Sequence, residues 1–318
     1  MADLVTRAQI TMLAQLLDVE PAAVSGLERL GADQVEALRT RISDSLFDSL
    51  AAVFARVSKL APLVPDAVAA TVAVKAIPAE VAGRGGGAIG MDHQHRAAGL
   101  MSRMPPGYLA DAAPYVDPRV IPFFAPKLPF ALLIPAADEL LRRRDYITAA
   151  RFVEHATDDL IRAFERHVQD DEAIVLTGAM VSRTEVLNSI LRTVSPERRA
   201  RVVALGGSGK PDVLVAALSL LARVDAEFAA PMTAMLFESQ DAEGVSRLCE
   251  LAVAAGATAE LLDVIGYLPD ETVRVLAAAP GLPDTGMLEQ AATTERRAAA
   301  VRRLIVCAPE PHTGTLHN

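Results

Sequence analysis

The sequence predicts an all-α protein: a right-handed superhelix (α-solenoid) of short helical repeats that follows an N-terminal helical bundle. First, five blocks of thirteen residues share one pattern, in which a polar residue opens the block and apolar residues recur near its fourth, fifth and twelfth positions. Self-similarity at a fixed period is typical of stacked repeats. Second, 51% of the residues are hydrophobic but only 4% are aromatic. Ala and Leu therefore supply most of the apolar surface, which favours close helix packing.

Residues 1–82 are predicted to form the N-terminal helical region. Apolar residues at helical spacing predict a first helix over 5–17, a short helical hairpin over 18–32 and one long helix over 33–59. The apolar stripe of the long helix consists of Val35, Leu38, Ile42, Leu46, Leu50, Val53 and Val57. We expect this stripe to pack against the rest of the chain. The alternative is that it pairs with a second copy in a homodimer.

A Gly-rich segment, GRGGGAIG at Gly83–Gly90, follows two short predicted helices at 66–74 and 79–82. Four of its first five residues are Gly. Each Gly in a helix interior costs about 1 kcal/mol relative to Ala, so this composition disfavours a helix. The segment is therefore expected to be a flexible loop, and residues 83–104 a connector to the repeats.

Residues 105–306 are predicted to be a nearly continuous array of repeats. Four of the thirteen-residue blocks are consecutive, over 144–195, and later units begin with Asp, Pro or Ala followed by an acid. Such residues suit helix N-termini, because side-chain oxygens accept the unpaired backbone N–H groups. A helix of about ten residues is not stable alone, so each unit must bury its apolar side against its neighbours. A last helix over 287–306 is expected to cap the array, and residues 307–318 to form a disordered tail.

Composition and charge disfavour several classes of protein. The net charge of −9 disfavours binding to nucleic acid. The two cysteines, Cys249 and Cys307, have neither zinc-site nor disulfide-framework spacing. The N-terminus lacks the basic region of a signal peptide, and the most apolar stretch, Pro118–Ala136, contains five prolines, too many for a membrane span. The sequence therefore predicts a soluble, cytoplasmic protein without a transmembrane segment.

Residues 104–129 resemble the N-terminal cytosolic domain of MgtE-type magnesium transporters. The residues that match the repeat of that family are Pro105, Pro106, Leu109, Ala110, Val116, Asp117, Pro118, Val120, Leu128 and Pro129. A weaker likeness lies at 60–82, and the flagellar motor switch protein FliG shares the helical style. The resemblance implies a superhelix of short helices that serves as a sensor or an interaction scaffold. The chain shows neither CBS domains nor a hydrophobic span after residue 150, so transport by this polypeptide is not expected.

Four acidic residues are candidate ligands for Mg²⁺. Asp158, Asp159, Asp170 and Asp171 lie about one repeat apart and begin successive predicted helices. Acids are expected there as caps, because they accept N–H groups and face the positive end of the helix dipole. If neighbouring helices bring the two pairs together, they would form a hydrated Mg²⁺ site of low affinity. Capping is the favoured interpretation.

His93 and His95, preceded by Asp92, are candidate ligands for Zn, Ni or Cu. The favoured alternative is a polar start to the helix after the Gly-rich segment, since no third ligand beyond Asp92 lies nearby in sequence. His155 and His167 would reach this pair only through the fold. A metal-dependent enzyme that uses these four histidines is one functional hypothesis.

Phe123, Phe124, Phe130 and Leu133 lie in a proline-rich stretch and form the candidate apolar surface. The favoured interpretation is that they pack in the core of a Pro-kinked unit. The alternative is that they line a groove for an apolar ligand or a partner. GGSGKP at Gly206–Pro211 lacks the first Gly and the final Ser or Thr of a phosphate-binding loop. It is predicted to connect two helices.

The predicted repeats carry no recognisable catalytic constellation. The sequence therefore favours a non-catalytic helical-repeat protein that binds a protein partner in an interaction or regulatory role. Weak binding of a divalent cation is compatible with this role, and Mg²⁺ is the candidate cofactor. The alternatives are a binder of an apolar, lipid-like small molecule and the metal-dependent enzyme that uses the four histidines.

Overall fold

All regular structure in the described residues is helical. The structure, a computed structural model, describes residues 3–60 and 64–308, and each regular element in these ranges is an α-helix or a 3₁₀-helix. The predicted all-α, helical-repeat class is therefore confirmed. The superhelical course of the repeats stays a prediction. Most of the predicted disordered tail, residues 309–318, lies outside the described residues.

The chain folds as two compact units. Among the described residues, the first unit comprises 3–60, 64–173 and 180–194, and the second comprises 174–179 and 195–308. The division falls inside the stretch 105–306, which the sequence pattern assigns to one array. It does not coincide with the Gly-rich segment.

The first unit consists of short helices around one long helix. Its α-helices are α1 (Leu4–Leu17), α2 (Pro21–Val24), α3 (Ala32–Leu60), α4 (Asp66–Ala76), α5 (Ala79–Asp92), α6 (Gln94–Met101), α7 (Pro106–Ala112), α8 (Ile121–Phe124), α9 (Phe130–Arg142), α10 (Tyr146–Val153), α11 (Asp158–His167), the first residues of α12 (Asp171–Met180) and α13 (Thr184–Thr193). Short 3₁₀ segments follow three of them, at Ser25–Leu30, Ala113–Tyr115 and Ala125–Lys127. The predicted first helix, helical hairpin and long helix are confirmed as α1, α2 with its 3₁₀ segment, and α3.

Helices of the first unit pack against the helix two positions along the chain. α3, α5, α7, α9, α11 and α13 form one row in which each helix contacts the next member of the row, and α4 packs on α6 in the same way. A short helix in such a row buries apolar surface against both of its neighbours. This arrangement gives helices that are too short to be stable alone the burial that they need.

The apolar core of the first unit includes two clusters. In one, Ile10, Leu13 and Val35 join α1 to the beginning of α3. In the other, which we call the Val120 cluster, the buried residues are Val120, Leu128 and Leu132. The N-terminal half of the long helix therefore packs within the chain, as favoured. Farther along this helix Val53 is 52% exposed, and pairing with a second copy stays a prediction.

The Gly-rich segment is helical, so the predicted loop at 83–90 is wrong: α5 runs through it. Gly83 is buried where α5 packs against α7 and the 3₁₀ segment that follows α7. A Cβ atom at this position would overlap the carbonyl oxygen of Ala112 and lie 2.9 Å from Cβ of Tyr115. The glycine permits the close approach of two helices, and this packing offsets its low intrinsic helix propensity.

The four consecutive blocks over 144–195 each contain one helix, α10 to α13, as the repeat pattern predicts. Three of these helices begin with a side-chain cap. Asp145 before α10, Thr157 before α11 and Asp170 before α12 each accept a backbone N–H from the first turn, over 3.1, 3.3 and 2.9 Å. The polar residue that opens a block therefore satisfies a donor that the short helix cannot pair internally.

The second unit repeats this construction. Its further helices are α14 (Pro196–Gly206), α15 (Pro211–Arg223), α16 (Ala226–Glu238), α17 (Ala242–Ala254), α18 (Thr258–Ile265), α19 (Asp270–Ala277), α20 (Thr285–Ala291) and α21 (Glu295–Cys307). The single last helix predicted over 287–306 is wrong, because α20 and α21 are separate. Thr294 has extended backbone and caps α21 by accepting the N–H of Arg297 at 3.3 Å.

Helix α21 packs against α18, α19 and α20 at the end of the second unit. Arg297 donates two hydrogen bonds, of 3.0 and 2.7 Å, to the carboxylate of Asp263. Arg303 donates to the carbonyl oxygens of Ile265 and Leu268, at 2.9 and 2.5 Å. The last helix is therefore attached by polar contacts to backbone groups as well as by its buried apolar residues.

No single helix among the described residues has both the length and the apolar content needed to cross a membrane. One pair of helical segments, Ile121–Lys127 and Phe130–Arg142, meets that requirement only when the two are counted together. These segments are bent by 116° relative to each other.

Candidate functional site

The four predicted Mg²⁺ ligands lie at the beginnings of two successive helices. Asp158 and Asp159 are exposed in the first turn of α11, and Asp159 forms an ion pair with Arg162 at 2.9 Å. Asp170 caps α12, whose first residue is Asp171. Within residues 3–60 and 64–308, no three His, Cys, Asp or Glu side chains are grouped so that they could hold a metal ion. The helix-terminal role accounts for these positions, and the cation site stays a prediction.

The four histidines of the enzyme hypothesis occupy different environments. His93 precedes α6 and is half-buried, His95 is exposed in the first turn of α6, and the side chain of Asp92 lies outside the described residues. His167 ends α11 with Nδ1 2.8 Å from the carbonyl oxygen of an alanine in the same helix. His155 is half-buried and lines a cavity.

The predicted apolar surface is divided between solvent and core. Phe123 is 54% exposed and Phe130 is 38% exposed. Leu133 packs against the Val120 cluster, and the side chain of Phe124 lies outside the described residues. The stretch therefore contributes to the core through Leu133 and to the surface through two phenylalanines. Its capacity to bind an apolar ligand stays a prediction.

A cavity of about 200 Å³ lies in the first unit, where α3, the end of α10 and the segments that precede α8 and α13 meet. We call it the arginine cavity. It is lined by Glu36, Arg39, Thr40, Ser43, Asp44, Pro118, Arg119, Ile121, Arg151, Glu154, His155 and Arg183. Four arginines and three carboxylates thus face one small space, a density of charge that the rest of the apolar repeat core does not require.

Arg151 extends from α10 into the interior beside this cavity. Its terminal nitrogens donate to the carbonyl oxygens of Pro114 and Val116, at 2.8 and 3.0 Å. Burial, with a smaller contribution from the charge of Arg39, lowers the pKa of Arg151 to about 10. No carboxylate among the described residues forms an ion pair with it. The charges of Asp145, Glu154 and Asp117 act against these effects and raise the pKa by less, so the carboxylates that compensate the buried cation are close by but not in contact with it.

Arg39 of α3 forms the second cationic wall of the cavity. Its Nε donates to Oε1 of Gln9 at 3.1 Å, and a terminal nitrogen lies 3.8 Å from the carboxylate of Glu36. Burial lowers the pKa of the Arg39 guanidinium. Burial also raises the pKa of Glu36, which the charge of Glu154 raises further and that of Arg39 lowers. The ion pair of Arg39 and Glu36 is therefore too long, at 3.8 Å, to offset the free-energy cost of burying either charge.

Two hydrogen bonds hold the segment before α13 at the cavity. Oε1 of Glu154 accepts from both the backbone N–H and the hydroxyl of Ser182, each at 2.8 Å. The next residue, Arg183, is exposed and forms no ion pair with a described carboxylate. Burial lowers the pKa of His155; the charge of Glu154 raises it by less, and the charge of Arg183 lowers it. The imidazole is therefore neutral near pH 7 and contributes hydrogen bonding rather than charge.

Arg119 forms the outer wall of the cavity and contacts three acidic residues. It donates to both carboxylate oxygens of Asp117 over 2.9 to 3.1 Å and to Asp48 at 2.8 Å, and lies 3.6 Å from Asp44. These hydrogen bonds, first to Asp117 and then to Asp48, raise its pKa. The charge of Arg119 is therefore balanced. Its contacts join the segment before α8 to α3.

The hydroxyl of Ser43 is an unpaired polar group at the cavity. The residue is 3% exposed, and its Oγ has no hydrogen-bond partner among the described residues. Buried side-chain polar atoms are nearly always hydrogen-bonded to protein or to ordered water. The Oγ atom has almost no accessible surface, so this hydroxyl is an unsatisfied buried group beside the cavity and does not face its interior.

Sequence reasoning missed this cavity. Glu154 and His155 stand out in the sequence as part of an acidic, His-bearing region, but Arg39, Arg151 and Arg183 lie on three separate segments. The available signal was weak: Arg151 stands alone among apolar residues in the short helix YITAARFV. An arginine on an apolar helix has several explanations, and only the fold shows that Arg151 lies near Arg39 and Arg183.

Replacing Glu36 by Gln tests the electrostatics of the cavity. The pKa of Glu36 is raised in the folded state. The protonated side chain therefore stabilises the folded protein at pH values below the unfolded-state pKa, and this stabilisation is lost as the pH rises through the folded-state pKa. We therefore expect Glu36→Gln to gain stability relative to the wild type between about pH 4 and about pH 7. The gain stays below about 1 kcal/mol, because the side chain is 37% exposed and solvent screens it. Urea unfolding at both pH values measures it; a variant less stable than wild type at neutral pH would contradict the expectation.

Helix α4 exposes an apolar stripe on the first unit. Val64, just before the helix, and Val68 and Val72 within it are 38%, 52% and 49% exposed. Val68 and Val72 are spaced by four residues and therefore lie on one side of the helix. The buried side is formed by Ala70 and Ala73. We call the three valines the α4 stripe.

The arginine cavity and the α4 stripe are two features of the described residues that helix capping and core packing do not account for. The likeness of residues 104–129 to the MgtE-type domain stays a prediction. The chain matches no protein-family model, no curated protein and no solved structure.

Proposed function

We propose that this protein is a helical-repeat interaction protein, whose α4 stripe binds an amphipathic, acidic helix of a partner protein. The observation that carries the proposal is the exposure of Val68 and Val72 on a helix that is apolar on nearly all sides. The role is one of interaction or regulation rather than catalysis, in agreement with the hypothesis that the sequence favours.

The composition of α4 supports this proposal. Of its eleven residues only Asp66, Thr71 and Lys75 are polar. Helices that are apolar on all sides are normally buried on all sides. Here the side with Ala70 and Ala73 is buried in the first unit, whereas the stripe is not. Side chains four residues apart form a ridge that fits the groove of a second helix.

Charges next to the stripe indicate the chemistry of the partner. Lys75 lies one turn beyond Val72, and Arg56 and Lys59 are exposed at the end of α3. None of these three cations forms an ion pair with a described carboxylate. In a chain of net charge −9, Lys75 is a cation one turn from the stripe. A partner helix with acidic residues beside its apolar face would complement it.

The test is to capture the partner from extracts of the source cell with tagged protein and a chemical cross-linker. We expect Val72→Asp to abolish recovery of one specific protein, because the carboxylate would be buried against an apolar face. Met287→Asp is the matched control, since Met287 is also an exposed apolar residue (53%) but lies in the second unit. The cross-links should join Lys59 or Lys75 to an acidic helix of the recovered protein.

Two outcomes would contradict the proposal. One is equal recovery of the same proteins with both variants, when circular dichroism shows both to be folded. The other is concentration-dependent self-association in sedimentation experiments that Val72→Asp abolishes. That result would assign the stripe to a second copy of this chain instead of a different partner.

A further inference from the structure

We infer that α4 is a strap, which detaches from the first unit as one cooperative segment while the other helices of that unit stay folded. Two polar contacts, one at each end of α4, hold it closed. The α4 stripe lies on the same helix, but the strap does not depend on the partner proposed for the stripe. The three helices concerned, α4, α6 and α7, all belong to the first unit.

Little buried apolar surface attaches α4 to the first unit. Its buried residues are Ala70 and Ala73, and six of its eleven residues are exposed. By contrast, α9 of the same unit buries Leu132, Leu140 and Leu141. Because a methyl group removes far less apolar surface from water than a leucine side chain does, packing stabilises α4 much less than α9. Segments with few buried apolar contacts are the first to open locally in a folded protein.

Helix α4 also lies outside the row formed by α3, α5, α7, α9, α11 and α13. It packs on α6, whose Gly99 comes so close to the beginning of α4 that a Cβ atom there would lie 3.1 Å from Oδ2 of Asp66. An isolated helix of this length is marginal in water, so a detached α4 would lose much of its structure. Its detachment would break none of the contacts that join successive members of the row.

Tyr108 of α7 fastens the end of α4. Its hydroxyl oxygen lies 3.0 Å from the carbonyl oxygens of both Ala73 and Ile77. Ala73 is in the last turn of α4 and Ile77 follows the helix, where backbone carbonyl groups have no further turn to pair with. The hydroxyl has one proton, which it donates to this pair of acceptors. This contact exists only while α4 is closed.

Arg96 of α6 fastens the beginning of α4. A terminal nitrogen of its guanidinium donates to the carbonyl oxygen of Val64, just before the helix, and lies 3.2 Å from the carboxylate of Asp66 in the first turn. The side chains of this ion pair are 23% and 32% exposed, so the pair alone contributes modestly. Polar contacts at the two ends therefore supplement the weak apolar packing in between.

Opening of the strap changes the surface that α4 offers. In the closed form Val68 and Val72 are exposed, whereas Ala70 and Ala73 are covered. In the open form all four side chains reach solvent. A partner that binds only one of the two forms would shift the population toward that form. The strap is therefore a means of regulating the interaction of the α4 stripe, and this last step alone rests on the proposed function.

Amide hydrogen exchange of the full chain, followed by NMR spectroscopy, tests the strap in the absence of any partner. After correction for intrinsic exchange rates, we expect the amides of residues 70–77 to exchange about tenfold faster, or more, than those of residues 136–142 in α9. Equal protection of the two helices would overturn the inference. That failure would leave the function proposed for the stripe standing, and failure to capture a partner would leave the strap standing.

Tyr108→Phe removes the hydroxyl and keeps the ring. We expect it to accelerate exchange about two- to tenfold at every amide of residues 70–77, which is the factor for loss of one ordinary hydrogen bond, and to leave α9 unchanged. Tyr115→Phe is the matched control. The ring of Tyr115 contacts Arg84, and its hydroxyl forms no hydrogen bond with a described residue, so exchange in α4 should not change.

Arg96→Ala tests the other end of the helix and should accelerate the same amides about twofold or more. Its control is Arg103→Ala, because Arg103 is exposed just after α6 and forms no ion pair with a described carboxylate. Substitutions at opposite ends must act on all of α4 if it opens as one segment. Acceleration confined to the turn beside each substitution would indicate fraying and overturn the inference, as would unchanged exchange in both variants.

Discussion

Gly83→Ala is expected to destabilise the first unit by about 1–3 kcal/mol, although the substitution places a better helix former inside a helix. The reason is steric. The new methyl group would overlap the carbonyl oxygen of Ala112 and crowd Cβ of Tyr115. Both obstacles belong to the backbone or lie next to it, so no side-chain rotation relieves them. The gain of about 1 kcal/mol in helix propensity is therefore outweighed by the forced separation of α5 and α7.

Gly86→Ala is the matched control in the same helix. A Cβ atom at Gly86 would meet nothing within 4 Å. This variant should stabilise the protein by about 1 kcal/mol through helix propensity alone. Urea unfolding followed by circular dichroism measures both, with attention to two transitions, because the chain has two units. Equal stabilisation by the two substitutions would show that α5 does not approach α7 closely.

Arg303→Ala is expected to destabilise the second unit by about 2 kcal/mol. The side chain joins α21 to the end of α18 through hydrogen bonds to the carbonyl oxygens of Ile265 and Leu268, and it donates to Asp270 at 2.6 Å. The bonds to the carbonyl oxygens account for most of the effect, because they satisfy acceptors at a helix end that packing partly shields from water. The exposed contact with Asp270 adds little.

Arg302→Ala provides the comparison one residue away. Arg302 is 62% exposed, and within residues 3–60 and 64–308 it pairs only with the exposed Glu295. Its removal should change stability by less than about 0.5 kcal/mol. Thermal or urea unfolding distinguishes the two variants, and Arg303→Lys should recover part of the loss, since one ammonium cannot reach all three acceptors at once. Similar losses for Arg302→Ala and Arg303→Ala would assign the effect to general charge rather than to these hydrogen bonds.

Helices were predictable here because their signals are local. The thirteen-residue blocks between residues 144 and 195 each became one helix, and the opening residues Asp145, Thr157 and Asp170 became caps. Spacing of apolar residues and the preference of Asp and Thr for N-termini are properties of a few neighbouring positions. They can be read without knowing what the helix packs against.

Errors arose where the deciding partner is distant in sequence. Propensity argued for a loop at residues 83–90, but α5 is helical there because Gly83 packs against Ala112. A single helix was predicted over 287–306, but Thr294 ends that pattern and caps a new helix. In the first case a tertiary contact outweighed an intrinsic cost of about 1 kcal/mol per glycine.

The sequence by itself determined the helical class, the short repeat and most helix boundaries of this protein, because these depend on periodicity and capping within about a dozen residues. Only the tertiary structure decided which residues come together. Arg39, Arg151 and Arg183 line one cavity because three separate segments of the chain enclose it. Val68 and Val72 become a surface only because the side of α4 with Ala70 and Ala73 is the one that is buried. Burial and charge convergence are set by contacts between distant segments, which no local pattern encodes.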